Sequence, residues 1–137
     1  MIIRETQLRV KYSETDQMGY LYHGNYPAYY EVGRAEWLRS FGVTYREMEE
    51  IHGIMMPVMS LQMRYIRPAK YDDLLTIRTF LRHFPTSYIT FYVEIFNEQK
   101  KLLNGGSVKL CFVEIKTNKT VPAPLYISDQ LKPFFKE

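Results

Sequence analysis

Residues 14–39 read ETDQMGYLYHGNYPAYYEVGRAEWLR, an acidic turn that feeds directly into the one long helical pattern of the chain. Tyr26, Tyr29, Tyr30, Gly33, Trp37 and Phe41 recur at steps of three or four, which places them on one face of a helix. Pro27 falls in the first turn, where a missing backbone N–H costs nothing because those donors have no intrahelical partner. Ahead of the helix, Asp16 shares a loop with Gly19, and Tyr22-His23-Gly24-Asn25 form the lead-in. Behind it, the pattern fades near Ser40, where Gly42 suits a left-handed cap.

Away from this helix the period is mostly two. In residues 2–12, Leu8, Val10 and Tyr12 alternate with Gln7, Arg9 and Lys11, as in a half-buried strand. Residues 44–52 predict a short helix with Thr44 as N-cap, Glu47 completing a capping box and Gly53 stopping it. Four strand-like runs follow, at 57–67, 73–84, 88–97 and 102–116, separated by Pro68, by Pro85-Thr86-Ser87 and by a loop at Asn97–Lys100. Gly105-Gly106 predicts a bulge or a close backbone approach. The tail from Ser128 predicts a short peripheral helix ending near Pro133. These connections are too short for parallel crossovers, so the strands are expected to meander in an antiparallel sheet. The expected class is α+β, a five-stranded antiparallel sheet wrapped around a long central helix. Open sheet edges in so small a domain invite pairing with a second copy.

The 137 residues suit one domain, 1–137, with 46% hydrophobic and 24% charged residues. A net charge of +3 with scattered Lys and Arg argues against a nucleic-acid surface, yet suits a small ligand carrying phosphates. Cys111 is the only cysteine, so no intrachain disulfide forms and a reducing, cytoplasmic setting is expected. Leu110 and Phe112 beside it mark it as a small packed hydrophobe. The start MIIRETQ has no signal-peptide character, and no apolar run of membrane-spanning length occurs, so no membrane insertion is expected. His23, His52 and His83 share no ligand spacing, which disfavours a metal site, and the absence of G-x-S-x-G disfavours a serine triad.

The pattern D-x-x-G-x-x-Y-H-x-N-Y (Asp16, Gly19, Tyr22, His23, Asn25, Tyr26), followed by Tyr30, Glu31, Arg34 and Glu36, resembles the hotdog-fold thioesterases of the 4-hydroxybenzoyl-CoA thioesterase type. The most similar subgroup is the acyl-CoA thioesterase associated with the Tol-Pal system. Tyr65-Ile66-Arg67-Pro68-Ala69 with Asp72-Asp73 is a second matching segment. The resemblance implies a hotdog fold and a homodimer with a continuous sheet, often paired into a homotetramer. It also implies hydrolysis of thioesters of coenzyme A or acyl carrier protein (ACP), with no metal or bound cofactor. It places the catalytic carboxylate on Asp16 and the carbonyl-polarising amide on His23.

Thioester hydrolysis needs an activated attacking group and a positive field where the carbonyl oxygen becomes an oxyanion. Asp16 suits the first role, as nucleophile or as general base toward water. The backbone N–H groups of His23 and Gly24 at the helix start suit the second. Fully extended, the seven residues from Asp16 to His23 would span ~23 Å, so the loop must turn back, and Gly19 is the residue that permits it. The His23 imidazole suits either proton transfer or a purely structural bond. Tyr20, Leu21, Tyr22, Met59 and Met63 are candidate walls for the acyl group. Arg64 and Arg82, with Arg67, Lys70 and Lys109, are candidates for the phosphates of coenzyme A. Glu31 and Arg34 form an i, i+3 pair from which Arg34 is expected to tie down the acidic loop, and Gly33 is expected to let the sheet approach the helix. Two rival readings are a non-catalytic hotdog module that binds acyl groups or scaffolds a partner, and a hotdog dehydratase with a histidine base.

Overall fold

The computed structural model describes residues 2–135. The helix starts where the sequence places it. α1 (Tyr26–Arg39) has Pro27 in its first turn and buries Tyr26, Tyr29, Tyr30, Gly33, Arg34, Trp37 and Leu38. Five long strands curl around it: β1 (Ile2–Arg9), β3 (Val58–Tyr65), β4 (Leu74–Leu81), β5 (Tyr88–Phe96) and β6 (Leu102–Glu114). Two short strands, β2 (Ile54–Met55) and β7 (Lys119–Val121), flank the far end of β6. Every pairing is antiparallel. Alternation along β5 buries Ile89, Phe91, Val93 and Ile95, and along β4 it buries Leu75, Ile77, Thr79 and Leu81, so the concave face is continuous.

The order of the long strands is β1-β4-β5-β6-β3, not a simple meander. β3 pairs with β6 through Tyr65↔Asn104 and Leu61↔Val108, and β1 occupies the place beside β4. The chain therefore crosses the sheet between Tyr65 and Leu74, from the β3 edge to β4 next to the β1 edge. Only backbone ladders distinguish these orders, because each strand carries the same alternating code. β1 also ends sooner than its pattern suggests: Val10 is buried, but Tyr12 leaves the sheet in a 3-10 turn (Tyr12–Glu14) and is exposed. The Gly105-Gly106 expectation resolves into a close approach at Gly106, where an added Cβ would lie 2.0 Å from the Gln62 carbonyl oxygen. The register shift against β5 falls just before it, between Leu102 and Asn104.

The core has two parts along α1. Trp37 and Leu38 pack with Phe91, Leu110 and Phe112 at one end. Tyr26, Tyr29 and Tyr30 pack with Leu21, Ala69, Leu75 and Ile95 at the other. α2 (Tyr45–Glu50) has the expected cap, the Glu47 N–H donating to Thr44 Oγ1 at 3.1 Å. α3 (Leu125–Leu131) begins three residues before the predicted Ser128 and is not peripheral, since its Ile127 and Leu131 complete the Trp37 end of the core. Cys111 is buried as expected. No helix among the described residues is long and apolar enough to cross a membrane.

Candidate active site

Asp16 opens a five-residue turn that closes on itself. The Asp16 N–H donates to the Tyr20 carbonyl (2.8 Å), and the Gly19 N–H donates to the Asp16 carbonyl (3.0 Å). Gly19 takes φ +79°, a conformation a side chain would disfavour, and so reverses the chain. The N–H groups of Met18 (2.9 Å) and Tyr20 (3.1 Å) both donate to Asp16 Oδ1. This fixes the half-buried carboxylate in one orientation. Oδ2 accepts no hydrogen bond among the described residues.

His23, Gly24 and Asn25 form a separate 3-10 turn ahead of α1, rather than the first turn of the α-helix itself. Its first internal bond runs from the Asn25 N–H to the Tyr22 carbonyl at 2.9 Å. The N–H groups of His23 and Gly24 precede that bond and have no acceptor among the described residues, as expected for the opening donors of a helical turn. The Tyr65 hydroxyl donates to the His23 carbonyl at 3.0 Å, and its ring meets Tyr26 edge-on at 5.2 Å. These contacts hold the turn against the end of β3.

Asp16, Tyr20, Leu21, His23, Tyr26, Tyr65 and Arg67 share one open cleft of about 350 Å³. Burial raises the Tyr26, Tyr29 and Tyr30 phenols above their ordinary value of 10.0, and for Tyr29 the Glu14 carboxylate adds to that rise. These rings are therefore neutral donors at physiological pH.

Of the residues singled out from sequence, the cleft brings together Asp16, His23, Tyr20, Leu21 and Arg67. Gly24 sits in the adjoining turn, beneath the Tyr22 ring. Tyr22 itself points outward, half exposed, against the His23 ring. Met63 packs into the core, and Met59 is exposed near the start of β3, so neither lines this cleft within one chain. Arg64 alternates with Met63 and Tyr65 and so projects from the opposite face of β3. Arg82 lies just past the far end of β4, a strand length of about 23 Å from the cleft side, with its guanidinium over the Tyr92 ring at 4.3 Å. Lys109 likewise covers Tyr88. Arg34 does not tie down the acidic loop or pair with Glu31. Buried on the inner face of α1, it donates from Nε to the Tyr45 hydroxyl of α2 at 3.0 Å. Gly33 does bring helix and sheet together, since an added Cβ would meet Thr79 Oγ1 at 2.5 Å. Sequence reasoning missed the part played by Tyr65. Its ring closes the cleft through a contact between distant segments that no local period announces.

Comparison with known proteins fits this geometry. Residues 18–104 match the family described as the thioesterase superfamily. The acyl-CoA thioester hydrolase YbgC of Escherichia coli is 30% identical over 125 residues, 91% of this chain and 92% of that protein. The acyl-CoA thioesterase YbgC of Haemophilus influenzae is also 30% identical, over 85% of each chain. The crystal structure of a DHNA-CoA thioesterase from Staphylococcus aureus superposes with a TM-score of 0.85 at 32% identity, covering 98% of this chain and 89% of that one. With the curled antiparallel sheet around α1, these matches identify the fold as the hotdog fold, and the chain belongs to the thioesterase superfamily.

Proposed function

We propose that the chain hydrolyses acyl-CoA thioesters, with Asp16 as the reacting carboxylate and the N–H groups of His23 and Gly24 as the oxyanion hole. The observation that carries this reading is the pairing of a carboxylate fixed through Oδ1, with Oδ2 free, and unpaired turn donors around one cleft. As general base, Oδ2 takes a proton from water while the water oxygen bonds to the thioester carbon. The carbonyl oxygen gains the negative charge and is held by the two N–H groups. Collapse breaks the C–S bond, and the thiolate leaves with the proton. As nucleophile, Oδ2 itself bonds to the carbonyl carbon, and the C–S bond breaks to expel the thiolate. Water then cleaves the resulting anhydride to the free acid and the Asp16 carboxylate, its proton going to the thiolate. Loss of one oxyanion donor costs on the order of 3 kcal/mol in acyl-transfer enzymes, so these amides matter as much as the carboxylate.

The relatives named for acyl-CoA and DHNA-CoA thioesters support a CoA carrier and an acyl group in contact with Tyr20, Tyr26 and Tyr65. The motif from Asp16 to Glu36 is the reason to favour the Tol-Pal-associated subgroup. Arg67, whose Nη1 donates to the Leu102 carbonyl at 3.0 Å, is the cation best placed for a phosphate. β3 has one paired edge, toward β6, and exposes Val58, Met59 and Leu61, which favours a dimer formed through its other edge.

Thiol release from aliphatic and aromatic acyl-CoA esters, with Asp16→Asn in parallel, tests the chemistry. Asp16→Asn is expected to lower kcat at least ~100-fold, within the range for removing a general base. An undiminished rate in that variant refutes the mechanism, and no turnover of any CoA ester by the native chain favours an acyl-binding module. A single turnover in labelled water separates the two roles of Asp16, since only attack by the carboxylate leaves the label in the protein.

A further inference from the structure

We infer that Glu14 is the positioning residue that sets the reacting carboxylate against the oxyanion donors. This rests on the reading of Asp16 as the reacting group. All of the Asp16 side-chain bonds stay within its own turn, at Met18 and Tyr20, so nothing on Asp16 itself fixes where that turn sits relative to His23 and Gly24. The Tyr71 N–H to Gly19 carbonyl bond (3.1 Å) and the Leu21 N–H to Ala69 carbonyl bond (2.8 Å) tie the turn to the segment before β4. Glu14, two residues upstream, supplies the link toward the 3-10 turn and α1. Its carboxylate Oε1 accepts from the Tyr29 hydroxyl of α1 (2.8 Å) and from the Lys11 N–H (2.9 Å). Its backbone carbonyl accepts from the Tyr22 N–H (2.9 Å) and from Asn25 Nδ2 (2.8 Å).

One residue therefore grips the chain before the acidic turn, the residue just before His23, the last residue of the 3-10 turn, and the helix behind it. The next residue, Thr15, bridges to Leu21 and closes the loop between them. Tyr29 is buried, and its phenol is held well above its ordinary pKa by burial and by Glu14, so this donor keeps its proton throughout the working range. Glu14 does not line the cleft, so it acts through the geometry of Asp16 and His23. A displacement of about 1 Å at a reacting group costs on the order of 100-fold in rate, which makes this link matter for turnover rather than for binding.

The test compares Glu14→Ala, Glu14→Gln and Tyr29→Phe in the full chain, with kcat and KM measured on an acyl-CoA ester the native chain turns over. Glu14→Ala is expected to lower kcat on the order of 10- to 100-fold with KM within about threefold of native. Glu14→Gln keeps an oxygen for Tyr29 and Lys11 and should recover most of that loss. Tyr29→Phe removes one bond only and should fall between them, which keeps the test open if the alanine variant does not fold. A folded Glu14→Ala or Tyr29→Phe with native kcat overturns the inference, as does a loss carried entirely by KM or a loss that Gln does not relieve. Asp16→Asn, measured alongside, separates the two readings. Full activity there removes the proposed chemistry whatever Glu14 does, whereas a dead Asp16→Asn with an active Glu14→Ala removes only the positioning role.

Discussion

Gly33→Ala is the substitution whose outcome the structure determines most sharply. On an ordinary helix, Ala in place of Gly stabilises by about 0.5–1 kcal/mol through backbone entropy. Here the new methyl would sit 2.5 Å from Thr79 Oγ1 and 2.8 Å from Ile77 Cγ2, well inside van der Waals contact. Thr79 and Ile77 are fully buried on β4, so α1 must lift or the side chains must leave their rotamers. Overpacking of this kind costs about 1–3 kcal/mol, which outweighs the helix gain and leaves a net loss of about 1–2 kcal/mol. For a chain of this length that corresponds to a fall in Tm of roughly 3–8 °C. Urea unfolding at fixed protein concentration reads it, because association shifts apparent stability. Thr79→Ala then supplies the control. The Thr79 hydroxyl is buried without a hydrogen-bond partner among the described residues, so its removal sacrifices no bond. The double variant should recover about 1 kcal/mol relative to the sum of the single changes. A Gly33→Ala protein more stable than native, or a double variant that is strictly additive, refutes the close-approach argument.

Three further outcomes follow from the same geometry. Stability should fall steeply above pH 10, because the unfolded chain releases its tyrosine protons near that pH while buried Tyr26, Tyr29 and Tyr30 keep theirs. Below pH 10 both states hold these protons and no slope arises. Each such group, half-buried Tyr45 and Tyr126 included, adds a slope of up to ~1.4 kcal/mol per pH unit, readable by denaturation at pH 9–11, and a flat profile would contradict the burial. Arg67→Gln should raise KM for acyl-CoA several-fold, roughly the 1 kcal/mol upper end for an exposed ion pair, while Arg82→Gln should leave KM unchanged, and the reverse result would relocate the phosphate site. Leu61→Arg, at a partly exposed position of the edge strand β3, should lower the mass seen by light scattering toward the 16.4 kDa monomer, and an unaltered oligomer would place the interface elsewhere.

Read alone, the sequence determined the elements and their inward faces. The three- and four-residue steps from Tyr26 to Trp37 belong to a helix because local periodicity dictates which side chains share a face, and the alternation in β4 and β5 works the same way. The turn at Asp16–Gly19 was equally legible, since a short acidic side chain followed by a glycine encodes its own hydrogen bonds. The tertiary structure alone decided which strands are neighbours and which residues meet at the cleft. β3 lies beside β6 and β1 beside β4, although every strand carries the same alternating code and a meander would satisfy it equally well. That order brings Tyr65 to His23 and Arg67 to the cleft and leaves Arg82 at the other end of the sheet, while the packing of α2 beside α1 turns Arg34 to Tyr45 rather than to the acidic loop. Partners far apart in sequence are selected by joint burial against α1, a property of the assembled surface that no window of neighbouring residues contains.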